Sequence, residues 1–324
     1  MDNHPPGVSV TAPISPAMQR ANLILFRPFD LGKWFAIGFC AFLANLGQGG
    51  NGGRYNRGTT VNTSASSSQA QLNNYLSHAR DYLHDNLGWI IPLAIVLFVI
   101  VIAVTILLLW LQSRGAFMLL HCVALNRGEV GIPWRKYAPE AHSLWLFRLV
   151  LGAASMVLIL PFIAWMVWIF LAMSANHRQF DLRVILLFVE VGLGWFCISL
   201  PLFIASVFTR QFVVPIMYLR GGTCMDAWRV LFPILGSNAG RFVLYILFQI
   251  VIGIVVMFLL IAFILCTCCI GGVLLVIPYI GSVVLLPVTI FLRSYSLIYL
   301  AQYGPEFDVF RAGENPGMEP IPAA

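Results

Sequence analysis

Six apolar runs dominate this chain, at 31–48, 88–112, 146–173, 184–209, 241–266 and 271–300. A helix needs about 20 mainly apolar residues to cross the hydrocarbon core of a bilayer. Within that core each helix satisfies its backbone N–H and C=O groups inside its own segment. Runs of this length predict an all-α polytopic membrane protein, a six-helix transmembrane bundle. Composition agrees: 60% of residues are hydrophobic and 10% charged, against about 25% charged in soluble domains. A water-soluble globule would lack the polar surface to cover itself.

Orientation follows from the basic residues near the span ends. With the N-terminus inside, Arg54, Arg57, Arg80, Arg178 and Arg183 fall outside, and the other 14 of the 19 Lys and Arg residues fall inside. Six spans with both termini cytoplasmic fit a multi-pass protein of the inner (plasma) membrane. The first thirty residues are polar and proline-punctuated and lack the short apolar core of a secretory signal. The net charge of +6 is carried mostly by arginines at the edges of apolar runs, with only Lys33 and Lys136 as lysines. A nucleic-acid binder would cluster its cations on a polar domain, so no nucleic-acid partner is expected. Seven scattered cysteines argue against a disulfide framework.

Short polar segments punctuate the spans. Residues 1–30 read as a cytoplasmic tail with an interfacial helix at 15–27, opened by Ser15-Pro16 as cap and first-turn proline. Met18, Leu25 and Phe26 are expected on the membrane surface. Asp30 should cap the first span, with Phe29 and Trp34 as a hydrophobic staple. Residues 47–68, rich in Gly, Asn and Ser, predict a disordered outer loop. An amphipathic outer helix follows at 69–87. The stretch "RGGTCMDAW" predicts that the fourth span runs on to Leu219, breaks at Arg220-Gly221-Gly222, and restarts at Thr223. The interfacial helix that follows, 223–235, places Asp226 and Arg229 one turn apart, with Met225, Trp228, Leu231 and Phe232 towards the headgroups. The last span carries Pro278, Gly281 and Pro287 and should kink. Residues 301–324 read as a disordered cytoplasmic tail.

The even spans end alike. "VFTRQFVVPIMYLRGG" and "IFLRSYSLIYLAQYGP" align Phe208 with Phe291, Arg210 with Arg293, Phe212 with Tyr295 and Gly221 with Gly304. "WLQSRGAFMLLHCVALNRGE" is a looser third copy. The odd spans open with one basic residue among aromatic and aliphatic ones, in "LGKWFAIGF", "WLFRLVLG" and "AGRFVLYIL". The pattern suggests three helical hairpins of related design, although positive-inside placement alone would also put a basic residue at each of these points.

"RPFDLGKWFAIGFCAFLANLG" and "VVPIMYLRGGTCMDAWRVLFPI" resemble the opening and the elbow of a family of uncharacterised bacterial multi-pass membrane proteins. More distantly, the chain is similar to the membrane domain fused to some glycerophosphodiester phosphodiesterases. The resemblance covers about 20 to 305. It implies paired membrane helices in a bacterial inner membrane and no reaction, because the phosphodiesterase chemistry belongs to a separate soluble domain.

Four constellations could carry chemistry. Glu190 is the one acid well inside a span, and an intramembrane carboxylate is a functional hypothesis by default; Gln249 is a candidate partner. Cys266, Cys268 and Cys269 lie close enough to hold a soft metal or form a disulfide, and equally suit a helix end as small apolar residues. His78, Asp81, His84 and Asp85 share the polar face of the 69–87 helix, either as a metal or pH-sensing cluster or as a solvated face. Pro161, Pro201 and Pro287 interrupt three spans, as transport sites sometimes require. No Ser-His-Asp order, phosphate loop or HExxH motif occurs, so neither an enzyme nor a cofactor is expected. Two functions follow as expectations. The first is a non-catalytic organising or interaction protein with membrane lipids and other membrane proteins as partners. The second is a transporter or lipid-handling protein using Glu190 and the proline-broken helices.

Overall fold

The computed structural model describes residues 8–27, 29–46, 68–176, 182–267 and 270–314. The outer loop and the last ten residues lie outside them. In chain order the helices are α1 (Ile14–Phe26), α2 (Leu31–Asn45), α3 (Ser68–Leu125), α4 (Gly131–Lys136), α5 (Ala138–Asn176) and α6 (Leu182–Phe208). A π-helical turn (Thr209–Val213) carries α6 into α7 (Val214–Arg220). Then come α8 (Cys224–Ser237), α9 (Ala239–Cys266), α10 (Ile270–Val276), α11 (Pro278–Val284), α12 (Leu286–Ala301) and α13 (Val309–Glu314). No strand occurs among the described residues.

Four segments are long and apolar enough to cross a membrane: Gly88–Leu125, Ala138–Ile169, Leu186–Arg220 and Ala239–Cys266. The expected first and sixth spans appear as the shorter apolar helices Leu31–Asn45 and Leu286–Ala301. At 15 and 16 residues and about 1.5 Å per residue, each falls short of a hydrocarbon core about 30 Å thick. The sixth run is broken rather than kinked, because Pro278 and Pro287 each open a new helix after Ile277 and Leu285. The turn brings Gly281 so close that a Cβ there would lie 2.6 Å from the Leu275 carbonyl oxygen. Pro161 and Pro201 lie inside continuous helices and so do not interrupt their spans. One missing N–H is tolerated in a membrane helix.

Burial is concentrated at one end of the bundle. The apolar side chains of 91–107, 150–168, 186–203 and 243–265 lie mostly open, as lipid-facing residues do. At the other end, α1, α8, α13 and the adjoining turns of α2, α3, α5, α7, α9 and α12 enclose one continuous core. Its centre is aromatic: Tyr245, Tyr295 and Tyr299 are fully buried with Phe212 and Phe242. The Tyr245 and Tyr299 rings sit 4.5 Å apart, and Tyr245 stacks on Tyr295 at 5.7 Å. These rings join α9 to α12. The first two expected hairpins pack directly, α2 on α3 and α5 on α6.

The N-terminal segment docks across α12. Ser9 and Gln302 exchange two hydrogen bonds, of 2.8 and 3.0 Å, and the Tyr295 hydroxyl donates to the Val10 carbonyl at 2.9 Å. Helix α1 then starts at Ile14 with Pro13 as its cap residue and no side-chain cap, so Ser15 does not cap it. Met18 and Phe26 are exposed as expected, while Leu25 turns into the core with Ala17, Ala21 and Ile24. Asp30 caps α2 through Gly32 N–H at 2.8 Å, and Phe29 lies 6.0 Å from Trp34.

The elbow forms as the sequence predicts. Gly221 and Gly222 have φ of 69° and 86°, backbone that glycine adopts without penalty. Thr223 and Asp226 then make a reciprocal capping box, and Arg229 lies 3.6 Å from Asp226. Met225 and Phe232 are exposed, but Trp228 and Leu231 pack into the core. Helix α8 is therefore docked on the bundle through Trp228 and Leu231, and leaves Met225 and Phe232 open. Hydrogen bonds from the Thr223 hydroxyl and backbone hold the Asp226 carboxyl below its usual value.

The tight α2–α3 seam and the Thr223 cap can each be tested. A Cβ at Gly115 would lie 2.5 Å from the Ala44 nitrogen, so Gly115→Ala should separate α2 from α3 at about 1–3 kcal/mol. Gly253→Ala, with nothing within 4 Å, should leave detergent thermal stability unchanged or slightly raised. Thr223→Ala should cost about 1 kcal/mol. Because the Asp226 value is lowered on folding, the carboxylate's contribution is complete at neutral pH and fades as pH falls through that lowered value; hydrogen exchange of α8 against pH measures it.

Candidate anion site

The chemistry begins with one backbone irregularity. In an α-helix Val214 N–H would bond to the Arg210 carbonyl, but here it bonds to Thr209. The next residue, Pro215, has no N–H to offer. The Arg210 carbonyl is thus left without an intrahelical donor, and Arg293 Nη1 of α12 donates to it. Such π-turns recur at functional sites. The two arginines that align in the repeat pattern are brought together by this bond. Arg293 is 9% exposed, and its Nε has no hydrogen-bond partner among the described residues.

Two cavities flank this point, and Arg210 lines both. The larger, about 770 Å³, lies between α3, α5 and α6. Its wall is apolar (Leu158, Ile159, Trp195, Phe196, Phe203), and Gln112, Arg148 and Arg210 join that lining as polar groups. Arg148 reaches Ser113 Oγ at 3.4 Å, and buried Gln112 leaves its Nε2 unpartnered. The smaller cavity, about 130 Å³, is lined by Asn45, Gln211, Gln249, Thr289 and Arg293 among others. Gln211 Oε1 and Gln249 Oε1 are buried without a hydrogen-bond partner. No Asp or Glu lines either cavity among the described residues. The ion pairs among the described residues, Arg127–Glu129, Arg220–Glu306 and Arg229–Asp226, lie away from both cavities.

The third copy of the arginine motif differs. Arg114 sits between the Trp110 and Trp134 rings, 5.2 Å from each, and donates to the Trp134 carbonyl at 2.6 Å. Its charge lies against rings and a backbone carbonyl, although its Nε, like that of Arg293, has no hydrogen-bond partner among the described residues.

Of the residues singled out by sequence, Gln249 lines the smaller cavity, whereas Glu190 is exposed on α6 and lines neither. The structure does not bring them together. Cys266 is an exposed free thiol; Cys268 and Cys269 lie outside the described residues. His78, Asp81, His84 and Asp85 fall on α3, which runs unbroken from Ser68, so 69–87 is the first part of that helix rather than a separate one; their side chains are outside the described features. Among the described residues no three His, Cys, Asp or Glu side chains converge as a metal site requires. Sequence reasoning noted Arg148, Arg210 and Arg293 as orientation signals and missed that they turn inward. Pro215, whose missing N–H leaves a carbonyl of the preceding turn without a helical donor, was the available signal. It also missed Cys40 and Cys122, whose sulfurs lie 3.8 Å apart across the α2–α3 seam. Burial pushes the Cys224 thiol, on α8, up to about 12, so it is protonated at neutral pH.

A protein-family profile annotated only as a family of unknown function, DUF7544, matches residues 8–281. The chain belongs to this family. Neither the curated proteins nor the solved structures contain a match.

Glu190→Gln is expected to leave thermal stability and any co-purified ligand unchanged, since Glu190 touches neither cavity. Loss of ligand on that substitution would return the carboxylate to the site.

Proposed function

We propose that this is a non-catalytic lipid-handling membrane protein that takes a phospholipid from the bilayer into the cavity between α3, α5 and α6. The observation that carries this reading is the lining of that cavity: an apolar wall large enough for acyl chain, together with the guanidinium of Arg148 and the unpartnered amide of Gln112. A guanidinium at membrane depth is expensive unless it is paired, and a lipid phosphate is an anion that the membrane itself supplies. Arginine binds such groups through two parallel N–H donors.

The organising role expected from sequence drew on the scarcity of polar groups in the spans. Three arginines and three glutamines around the two cavities weaken that basis. On the present reading the packed, arginine-bearing end faces the cytoplasm of a bacterial inner membrane, as the basic-residue asymmetry favours, and the distant phosphodiesterase-associated resemblance is kept as part of the proposal.

The test is native mass spectrometry of protein extracted in native lipid discs. A retained phospholipid is expected, and Arg148→Gln should reduce it about tenfold or more, in line with loss of a charge-assisted hydrogen bond of about 1.5–3 kcal/mol. A stoichiometric protein partner with no retained lipid would favour the organising role instead.

A further inference from the structure

We infer that the smaller cavity, between α2, α9, α12 and the π-turn, is a second and separate site, for a phosphate group that also carries a hydroxyl. This goes beyond the lipid cavity and does not rest on it. Three unsatisfied polar atoms define the ligand. Arg293 Nε is a donor without an acceptor; Gln211 Oε1 and Gln249 Oε1 are acceptors without a donor. Arg293 and Gln211 are each 9% exposed, so bulk water does not serve them. An unmade hydrogen bond of this kind costs about 1–3 kcal/mol, more where a charge is involved.

The pattern selects among anions. Chloride and sulfate accept hydrogen bonds but have no proton to give the glutamine oxygens at neutral pH. Hydrogen phosphate and phosphoglycerol groups offer both. Arg210 and Arg293 both line the cavity, and a positively charged lining favours an oxyanion. A volume of about 130 Å³ suits a headgroup-sized ligand and leaves no room for two acyl chains. Thr289 and Ser296 already donate to helix carbonyls, at 3.1 and 2.9 Å, so selectivity falls to Arg293, Gln211 and Gln249. The shared chemistry has two sources, free hydrogen phosphate and the headgroup of a phosphoglycerol lipid.

Titration calorimetry on delipidated protein in detergent, with inorganic phosphate and with sulfate, addresses the first source. Thermal stability in discs of phosphatidylcholine, with and without phosphatidylglycerol, addresses the second. Phosphate binding at least tenfold tighter than sulfate, or a stabilisation specific to phosphatidylglycerol, is the expected result, and which occurs identifies the source. Gln249→Leu, at a partly buried position that should still fold, is expected to weaken either signal about tenfold. It should leave the lipid retained by the α3–α5–α6 cavity intact, whereas Arg148→Gln should do the reverse. Equal binding of sulfate and phosphate, or no response to either probe, would overturn the inference. So would a response indifferent to both Gln249→Leu and Arg293→Gln.

Discussion

A carbonyl that its own helix cannot satisfy organises the centre of this protein. Val214 N–H bonds to Thr209, one residue further back than an α-helix requires, Pro215 has no N–H, and Arg210 C=O is left to Arg293. In a bilayer an unmet carbonyl costs several kcal/mol, so α12 must deliver a donor to that point. The aromatic packing around it follows. Phe212, one position beyond Gln211 on the π-turn, lies 5.1 Å from Tyr245 and 6.2 Å from Tyr299. These rings fix α9 and α12 against the turn, and Arg293, whose Nε has no hydrogen-bond partner among the described residues, lines the smaller cavity.

The same constraint explains why the bundle is packed at one end and open at the other. Lipid is as apolar as leucine, so helices in a membrane gain little from burying Leu and Val against each other. Association depends on close approach at small residues, on rings and on hydrogen bonds. These occur where they can act: Gly115 against Ala44, Gly38 against Val283, and the Ser9–Gln302 clamp. Elsewhere the helices present leucine, isoleucine and phenylalanine outward, and between α3, α5 and α6 a cavity of about 770 Å³ remains.

Much of the fold was legible in the sequence, because run length and helix caps act locally. Asp30, Thr223, Asp226 and the Gly221-Gly222 break each do in the structure what their chemistry dictates. The sixth run was harder: its hydropathy is continuous, but the backbone divides wherever proline removes a donor, and two prolines outweighed the apolar pattern. The site was less legible. Hydropathy and charge counting treat an arginine at the end of a span as an interfacial anchor, and the inward turn of Arg293 depends on a carbonyl 83 residues away in sequence. Glu190 drew attention as a lone acid in an apolar run, yet sits on the exposed face of α6 and lines neither cavity.

The most direct measurement is a cryo-electron-microscopy structure of the protein in native lipid discs, at a resolution that places the Arg293 side chain. The account predicts Arg293 Nη1 on the Arg210 carbonyl, with a bound phosphate group between Arg293 Nε and Gln249. An Arg293 side chain turned away from the Arg210 carbonyl, or neutralised by an acidic side chain, would contradict it.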